Sequence, residues 1–384
     1  MKSPKKNGSC GKKVTPQQWF EAAWTGKLNV IKRAVSEGFD VNARETPTRT
    51  ALCHTVGRPD MLRFLLSHGA TLENVRIDGK YTLLAFACRW NDFESVKILV
   101  EEGHADVNEN PTGRDWNRAL HEAEYNRAGD SFEIIRYLLE HGAAVTPEDC
   151  SYARTLDELK SYFEHIEVTP EVIKTLLKEC AMQAGTVQGR FEKFEYLAGL
   201  CPGKIRFTGK FGMELLASVA RAGGPGCFHN AFHGRCSMPE TGRIMEYLIR
   251  RGVDVRADKY HVKPFLSAVG SGNRFAAKFL RNAGADTSCR CDDGRSALHI
   301  AADDERLDMV EFLVEVCGLD VDARDNAGKT PAHYAADHNQ GIGVLCYLAD
   351  ECGADLTIRD ANGELPGAHR KMEVIRGFLD ALKP

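Results

Sequence analysis

Apolar residues along this chain fall in short paired stripes rather than in long runs. Phe265, Leu266, Ala268 and Val269 recur at helical spacing, and after Gly272 a second set follows, Phe275, Ala276, Phe279 and Leu280. Each stripe spans about two turns, too short for a helix that is stable alone. Helices joined by a tight glycine turn can bury such stripes only against further pairs, so the pattern predicts stacked helix–turn–helix units.

Self-comparison supplies the period. "GRSALHIAADDERLDMVEFLVEVCGLDVDARD" from Gly294 and "GKTPAHYAADHNQGIGVLCYLADECGADLTIRD" from Gly328 begin 34 residues apart, as do His299 and His333. The same skeleton returns from Lys263 and from Lys80. Units start near residues 16, 49, 78, 111, 168, 209, 259, 292, 326 and 361. Ala301, Ala302, Ala335 and Ala336 are small enough to let neighbouring first helices approach closely. Gly38, Gly69, Gly103, Gly142, Gly252, Gly284, Gly318 and Gly353 stand where second helices should end in a left-handed residue.

These stretches resemble ankyrin repeats, whose pattern is a glycine turn, Thr-Pro-Leu-His, two short helices and Gly-Ala-Asp. The resemblance implies an all-α ankyrin-repeat solenoid of about ten helix–turn–helix units with short β-hairpin fingers. It also implies a protein–protein interaction module, an adaptor, scaffold or regulatory subunit that grips a partner protein on its concave face. The step from fold to function is by analogy with the family. The chain divides into a basic tail at 1–15, repeats at 16–145, a divergent helical segment at 146–208, a repeat with an insert at 209–258, and repeats plus a cap at 259–384. In the divergent segment, "TPEDCSYARTLDELKSYFEHIEV" reads as one helix without a partner, and the stretch is either a decayed repeat or a hinge. The cap turns polar through Arg370, Lys371 and Arg376.

Bulk properties fit this picture. The chain has 384 residues, more than one compact core usually holds, and a net charge of −4, which gives no reason to expect a nucleic-acid partner. No apolar run approaches the length of a membrane span, and the lysine-rich start is no secretory signal. Thirteen cysteines at irregular spacing read as reduced thiols, many buried. These features predict an intracellular protein, cytoplasmic with the nucleus open to it, without cofactor and without catalytic function. Five lysines in the first thirteen residues could steer an acidic partner, act as an import signal, or only solubilise the tail.

Partner-binding candidates follow the alanine pair of the first helix, where side chains point outward: Trp24, Arg89, Trp90, Asp303, Asp304, Asp337 and His338, with Trp116 at a turn tip. Trp and Arg supply most hot-spot energy at interfaces. The alternative for Trp24 and Trp90 is that they cover gaps between uneven repeats.

Several motifs suggest chemistry without completing it. Gly328-Lys329-Thr330 ends like a phosphate loop, yet the glycine required five residues earlier is Ala323 and Pro331 removes an amide. His121-Glu122 begins like a zinc-protease helix, but Tyr125 stands where the second histidine belongs. With His299 and His333, His121 occupies the histidine of the repeat signature, which in the family braces the turn. The unit from 209 carries Ala217 in that slot and about 17 extra residues between its helices, the insert at 224–241. Within it, Cys227, His229, His233 and Cys236 offer four zinc donors at a spacing that matches no standard site. A zinc-binding ankyrin protein is therefore one alternative, and a packed or disordered loop another. An enzyme hidden in the middle segment would have to use Asp157, Glu158, Glu164, His165 and Glu167.

Overall fold

The computed structural model describes residues 13–114, 117–125, 131–183, 189–200, 203–222, 238–256, 261–337 and 342–368. Short helices dominate, and the chain divides into two compact units, residues 1–153 with 157–167, and 154–156 with 168–384.

In the first unit, α1 (Pro16–Thr25) pairs with α2 (Leu28–Ser36), and a short 3-10 turn (Ala51–His54) with α3 (Pro59–Ser67). They are followed by α4 (Leu83–Arg89) with α5 (Phe93–Glu101), α6 (Ala119–Tyr125) with α7 (Ser131–Glu140), then α8 (Pro147–Tyr152) and α9 (Leu156–Phe163). The second unit contains α10 (Pro170–Met182) with α11 (Arg190–Leu200), α12 (Lys210–Arg221) with α13 (Met238–Arg250), and α14 (Pro264–Gly270) with α15 (Arg274–Asn282). It ends with α16 (Ala297–Asp303) and α17 (Leu307–Glu311), then α18 (Pro331–Asp337) and α19 (Gly343–Cys346). Fingers are minimal. Arg44–Thr46 and Arg49–Thr50 form one antiparallel hairpin, and single bridges join Ile77 to Tyr81 and Arg290 to Ser296.

Local chemistry sets the helix starts. The Thr15 hydroxyl accepts from the Gln18 amide while the Gln18 side chain accepts from the Thr15 amide, a reciprocal cap with Pro16 in the first turn. Thr82, Asp92 and Asn273 cap α4, α5 and α15 through the amides of Ala85, Ser95 and Ala276. First helices pack on first helices through the alanine pairs: α16 lies against α18, and Ala301, Ala302, Ala335 and Ala336 are all fully buried.

Second helices end in two ways. The amides of Ala70, Ala143 and Ala285 bond the carbonyl five residues back, and Gly69, Gly142 and Gly284 ahead of them have φ between 85° and 89°. In three other units the closing bond spans six residues: Ala105 to Leu99, Leu319 to Leu313, Ala354 to Leu348. At 312–316 and 347–351 the helix widens into a π turn, which takes up the extra residue without breaking the stack. The expectation that Gly103 is left-handed is wrong, because the left-handed residue is the one just before the closing amide, which is Gly318 or Gly353 in two of these units but His104 ahead of Ala105. His104 takes that conformation instead at φ 50°, and a Cβ on Gly103 would meet the Leu99 carbonyl oxygen at 2.8 Å.

Two further expectations are corrected. "TPEDCSYARTLDELKSYFEHIEV" is two helices rather than one, because the chain leaves helical conformation at Ala153 (φ −50°, ψ 123°) before α9 begins. The insert proposed for 224–241 is shorter at its far end, since α13 begins at Met238 and residues 238–241 are already helical. There the Glu240 carboxylate accepts from the Phe191 amide at 2.7 Å, and Thr241 is fully buried. The rest of the insert, with Cys227, His229, His233 and Cys236, lies outside the described residues, as do the tail up to residue 12 and the cap beyond 368.

Candidate functional site

A left-handed turn residue after four of the first helices puts their units in register: Gly26, Asn91, Gly272 and Glu305, with φ of 75°, 54°, 72° and 52°. Two positions before it stand Trp24, Arg89, Gly270 and Asp303; one position before it stand Thr25, Trp90, Ser271 and Asp304. These two slots end the first helix, and all of these residues except the buried Ser271 are at least partly exposed.

In the first unit they carry aromatic surface. Trp24 and Trp90 are each 65% exposed, whereas Trp19, one turn earlier in α1, is fully buried and stacked on Phe39 at 4.7 Å. A tryptophan filling a gap between repeats would be covered as Trp19 is, so the gap-filling alternative does not hold for Trp24 or Trp90. Trp24 meets the His54 ring edge-on at 5.2 Å, and its carbonyl accepts from Arg58 at 2.9 Å. Trp90 leans on Phe86 at 6.0 Å.

Arg89 joins two adjacent units. Its guanidinium lies 5.3 Å from the Tyr125 ring centroid and 5.5 Å from that of Tyr81, and donates to the Glu122 carboxylate at 3.1 Å. Glu122 is buried, which raises its carboxyl above the usual range against the pull of Arg89. Tyr125 (66% exposed) and Tyr152 (50% exposed) extend the aromatic character, and the sequence reading missed both. Their signal was their place, since Tyr125 follows Ala123 as Arg89 follows Ala87.

Farther along the second unit, at Asp303, Asp304 and Asp337, the same slots are acidic and already partnered. Asp303 accepts from Arg295 at 3.3 Å, Asp304 pairs with Arg306 at 3.2 Å, and Asp337 pairs with Lys329 at 3.3 Å. Exposed pairs of this kind contribute little stability but hold the side chains in place. Trp116 and His338, the remaining candidates, lie outside the described residues.

The signature histidines brace the stack. His299 Nδ1 accepts from the Ser296 amide at 3.1 Å and lies 2.7 Å from its hydroxyl oxygen, while Nε2 donates to the Lys329 carbonyl of the next unit at 3.0 Å. His333 repeats this with Thr330 at 3.1 and 2.9 Å and with the Glu364 carbonyl at 3.2 Å. Burial lowers both imidazoles below their ordinary 6.5.

His121 has the same slot and a different setting. Arg118 replaces the Ser or Thr three residues earlier, His121 Nδ1 lies 3.7 Å from Glu124 Oε2, and its ring meets Tyr152 edge-on at 5.1 Å. Behind it sits a buried ionisable cluster. Arg118 grips both oxygens of Asp149 at 2.7 and 2.8 Å, and Asp149 also caps α8 by accepting from the Thr146 amide at 2.6 Å. Tyr162 donates to Glu124 at 2.6 Å. Burial, then the Asp149 charge, push the Glu124 carboxyl up to about 9. Donor atoms of His121, Glu124 and Asp149 lie within 4.8 Å of one another, as metal ligands could. They do not fit a cation, because the Arg118 guanidinium already occupies both Asp149 oxygens. The cluster is an internal tie between α6, α8 and α9.

Residues considered for a hidden enzyme are sorted apart. Asp157 is on the surface 3.8 Å from Lys160, Glu158 is buried, and Glu164, His165 and Glu167 are exposed. Among the described residues the cysteines are free thiols, with Cys53, Cys88, Cys150 and Cys180 buried. Burial first, then the Asp149 charge, raise Cys150 to about 12, the setting of an inert core thiol. No described helix is long and apolar enough to cross a membrane.

The family model of ankyrin repeats matches in three copies, at residues 19–111, 74–149 and 268–360, together more than half of the chain. The chain belongs to the ankyrin-repeat family. Among curated proteins it is similar to alpha-latrocrustotoxin-Lt1a of Latrodectus tredecimguttatus, 26% identical over 256 residues, 66% of this chain and 15% of the toxin. It is also similar to the human transient receptor potential cation channel subfamily A member 1, 24% identical over 336 residues, 80% of this chain and 28% of the channel. Human ankyrin repeat domain-containing protein 63 is 34% identical over 102 residues, 26% of either chain. The chain thus spans less than a third of the length of each of these relatives. Ankyrin repeats are in general a protein-interaction module, and this chain carries them in both units.

Proposed function

We propose that this ankyrin-repeat protein is a non-catalytic adaptor, scaffold or regulatory subunit. In this reading it binds a partner protein on the face made by finger tips and the exposed ends of first helices. The observation that carries it is the exposure of Trp24 and Trp90 at 65% each, in slots that hold Asp303, Asp304 and Asp337 farther along the chain. Leaving two indoles in water has no folding benefit, and aromatic side chains of this size supply large desolvated contact when a partner covers them. Arg89, held between Tyr81 and Tyr125, is fixed in one orientation and so loses little entropy on binding. The relatives support a recognition role in a different way. They bear the names of a toxin and a cation channel, proteins of unlike activity, and the similarity covers only 15% and 28% of their lengths.

The test is affinity purification with quantitative mass spectrometry, comparing the natural chain with Trp24→Ala/Trp90→Ala. Partners lost from the variant while its circular dichroism is unchanged would support the reading. An identical partner set from a folded variant would refute it.

A further inference from the structure

The second helices of the second unit carry opposite charges along the stack. Buried residue pairs set their register: Ile244-Met245 in α13, Ala276-Ala277 in α15, Met309-Val310 in α17 and Val344-Leu345 in α19. The residues flanking each pair are all at least partly exposed. On that exposed side α13 and the turn after it put Arg243, Arg250 and Arg251 against Glu246. Arg274, Lys278 and Arg281 of α15 bring the net charge of this block to +5. Asp308, Glu311 and Glu315 on α17 and its π turn, with Asp350 and Glu351 beyond α19, make the next block −5. The blocks adjoin, since the Arg274 guanidinium lies 5.9 Å from the Phe312 ring centroid. Even so, Lys278, Arg281, Asp308, Glu311, Asp350 and Glu351 make no ion pair among the described residues. Apolar surface lies between the charges, with Phe275, Leu307 and Val316 37%, 38% and 41% exposed.

We propose that this face pairs with the same face of a second copy of the chain, as a two-fold symmetric dimer. The axis lies in the interface, parallel to the second helices, between α15 and α17. It sets α15 of one copy on α17 of the other, and α13 on α19, so each positive block meets a negative one. The shared register then brings equivalent slots face to face. Lys278 faces the partner's Glu311, Arg250 faces the partner's Asp350, and Phe275 falls beside the partner's Leu307. Within one copy the blocks lie side by side in water; across the interface they are opposed and partly desolvated, which strengthens the attraction. Four second helices about 10 Å apart, each about 14 Å long, offer roughly 600 Å2 per copy, roughly 1,200 Å2 for the pair. That is the lower bound of a specific interface, so the dimer is reversible and sensitive to salt. Trp24 and Trp90 belong to the first unit, so the reading of their face neither supports nor needs this one.

Sedimentation velocity of the full chain at rising concentration tests the proposal. In low salt a dimer should dominate at about 100 μM, and raised salt should weaken it at least tenfold. Lys278→Glu sets carboxylate on carboxylate across the axis, and Glu311→Lys sets ammonium on ammonium. Each alone should weaken the dimer at least tenfold. Mixed in equal amounts, the two variants regain opposite charges at both contacts and should form a heterodimer. A chain still monomeric at about 100 μM in low salt would overturn the proposal. So would a dimer indifferent to both substitutions, or variants of unchanged circular dichroism that stay monomeric when mixed. Growth beyond a dimer would overturn the two-fold arrangement in favour of an open head-to-tail chain. A dimer lost in Trp24→Ala/Trp90→Ala but kept in Lys278→Glu would place self-association on the first unit and overturn the inference.

Discussion

Replacing His299 with alanine tests how the units hold one another. The ring is fully buried and makes three polar contacts, with the Ser296 amide, the Ser296 hydroxyl and the Lys329 carbonyl of the next unit. At about 1 kcal/mol net for each, His299→Ala should cost about 3 kcal/mol, with a buried amide and carbonyl left without their partner. With a urea m-value of ~3 kcal/mol per molar, the midpoint should fall by about 1 M. Far-UV circular dichroism reads helix in both units. Tryptophan fluorescence reads the first unit alone, because Trp19, Trp24, Trp90 and Trp116 all precede residue 153. The loss should therefore appear in dichroism. Acid should shrink it. Below 6.5 the unfolded imidazole takes up a proton that the folded one resists, so this contribution fades as pH falls through that value. A variant within about 0.5 kcal/mol of the natural chain would refute the bracing role. A shift seen only in fluorescence would refute it as well.

Three further outcomes follow from the same structure. Trp90→Ala should change stability by less than about 0.5 kcal/mol in urea unfolding, since its indole is mostly in water; a loss of several kcal/mol would make it a core residue. Arg118→Ala should cost about 3–5 kcal/mol, because it strands the buried Asp149 carboxylate, and an unchanged melting temperature would contradict the tie between α6 and α8. Glu124→Gln should flatten the pH profile of stability in the first unit. Between 4.5 and about 9 the unfolded chain has lost the Glu124 proton while the folded chain keeps it, so stability falls as pH rises through that window and levels off beyond it. Tryptophan-monitored unfolding across this range should show a smaller slope for the variant, and equal slopes would show that Glu124 is not held protonated.

Much of the stack was legible because its signals are local. Gly69, Gly142 and Gly284 mark helix ends by conformational need, and Ala301 with Ala302 mark close helix contact by size. The turn-bracing histidines could be read at His299 and His333 from the Ser or Thr three residues earlier. At His121 the same letter misled, because its neighbour Arg118 turns inward to Asp149, a partner 31 residues away that no local pattern reveals. The break between α8 and α9 has no glycine or proline to announce it; its sequence trace is Thr155 three residues before Glu158, a helix-start pattern just ahead of α9. Trp24 and Trp90 were found by place.

Hydrogen–deuterium exchange of the full chain, with and without a captured partner protein, addresses the recognition surface most directly. The account predicts slowed exchange at the ends of first helices, residues 22–26 and 86–91, where Trp24, Arg89 and Trp90 stand. Protection confined to the second helices, at 28–36 and 93–101, with Trp24 and Trp90 exchanging as before, would contradict it.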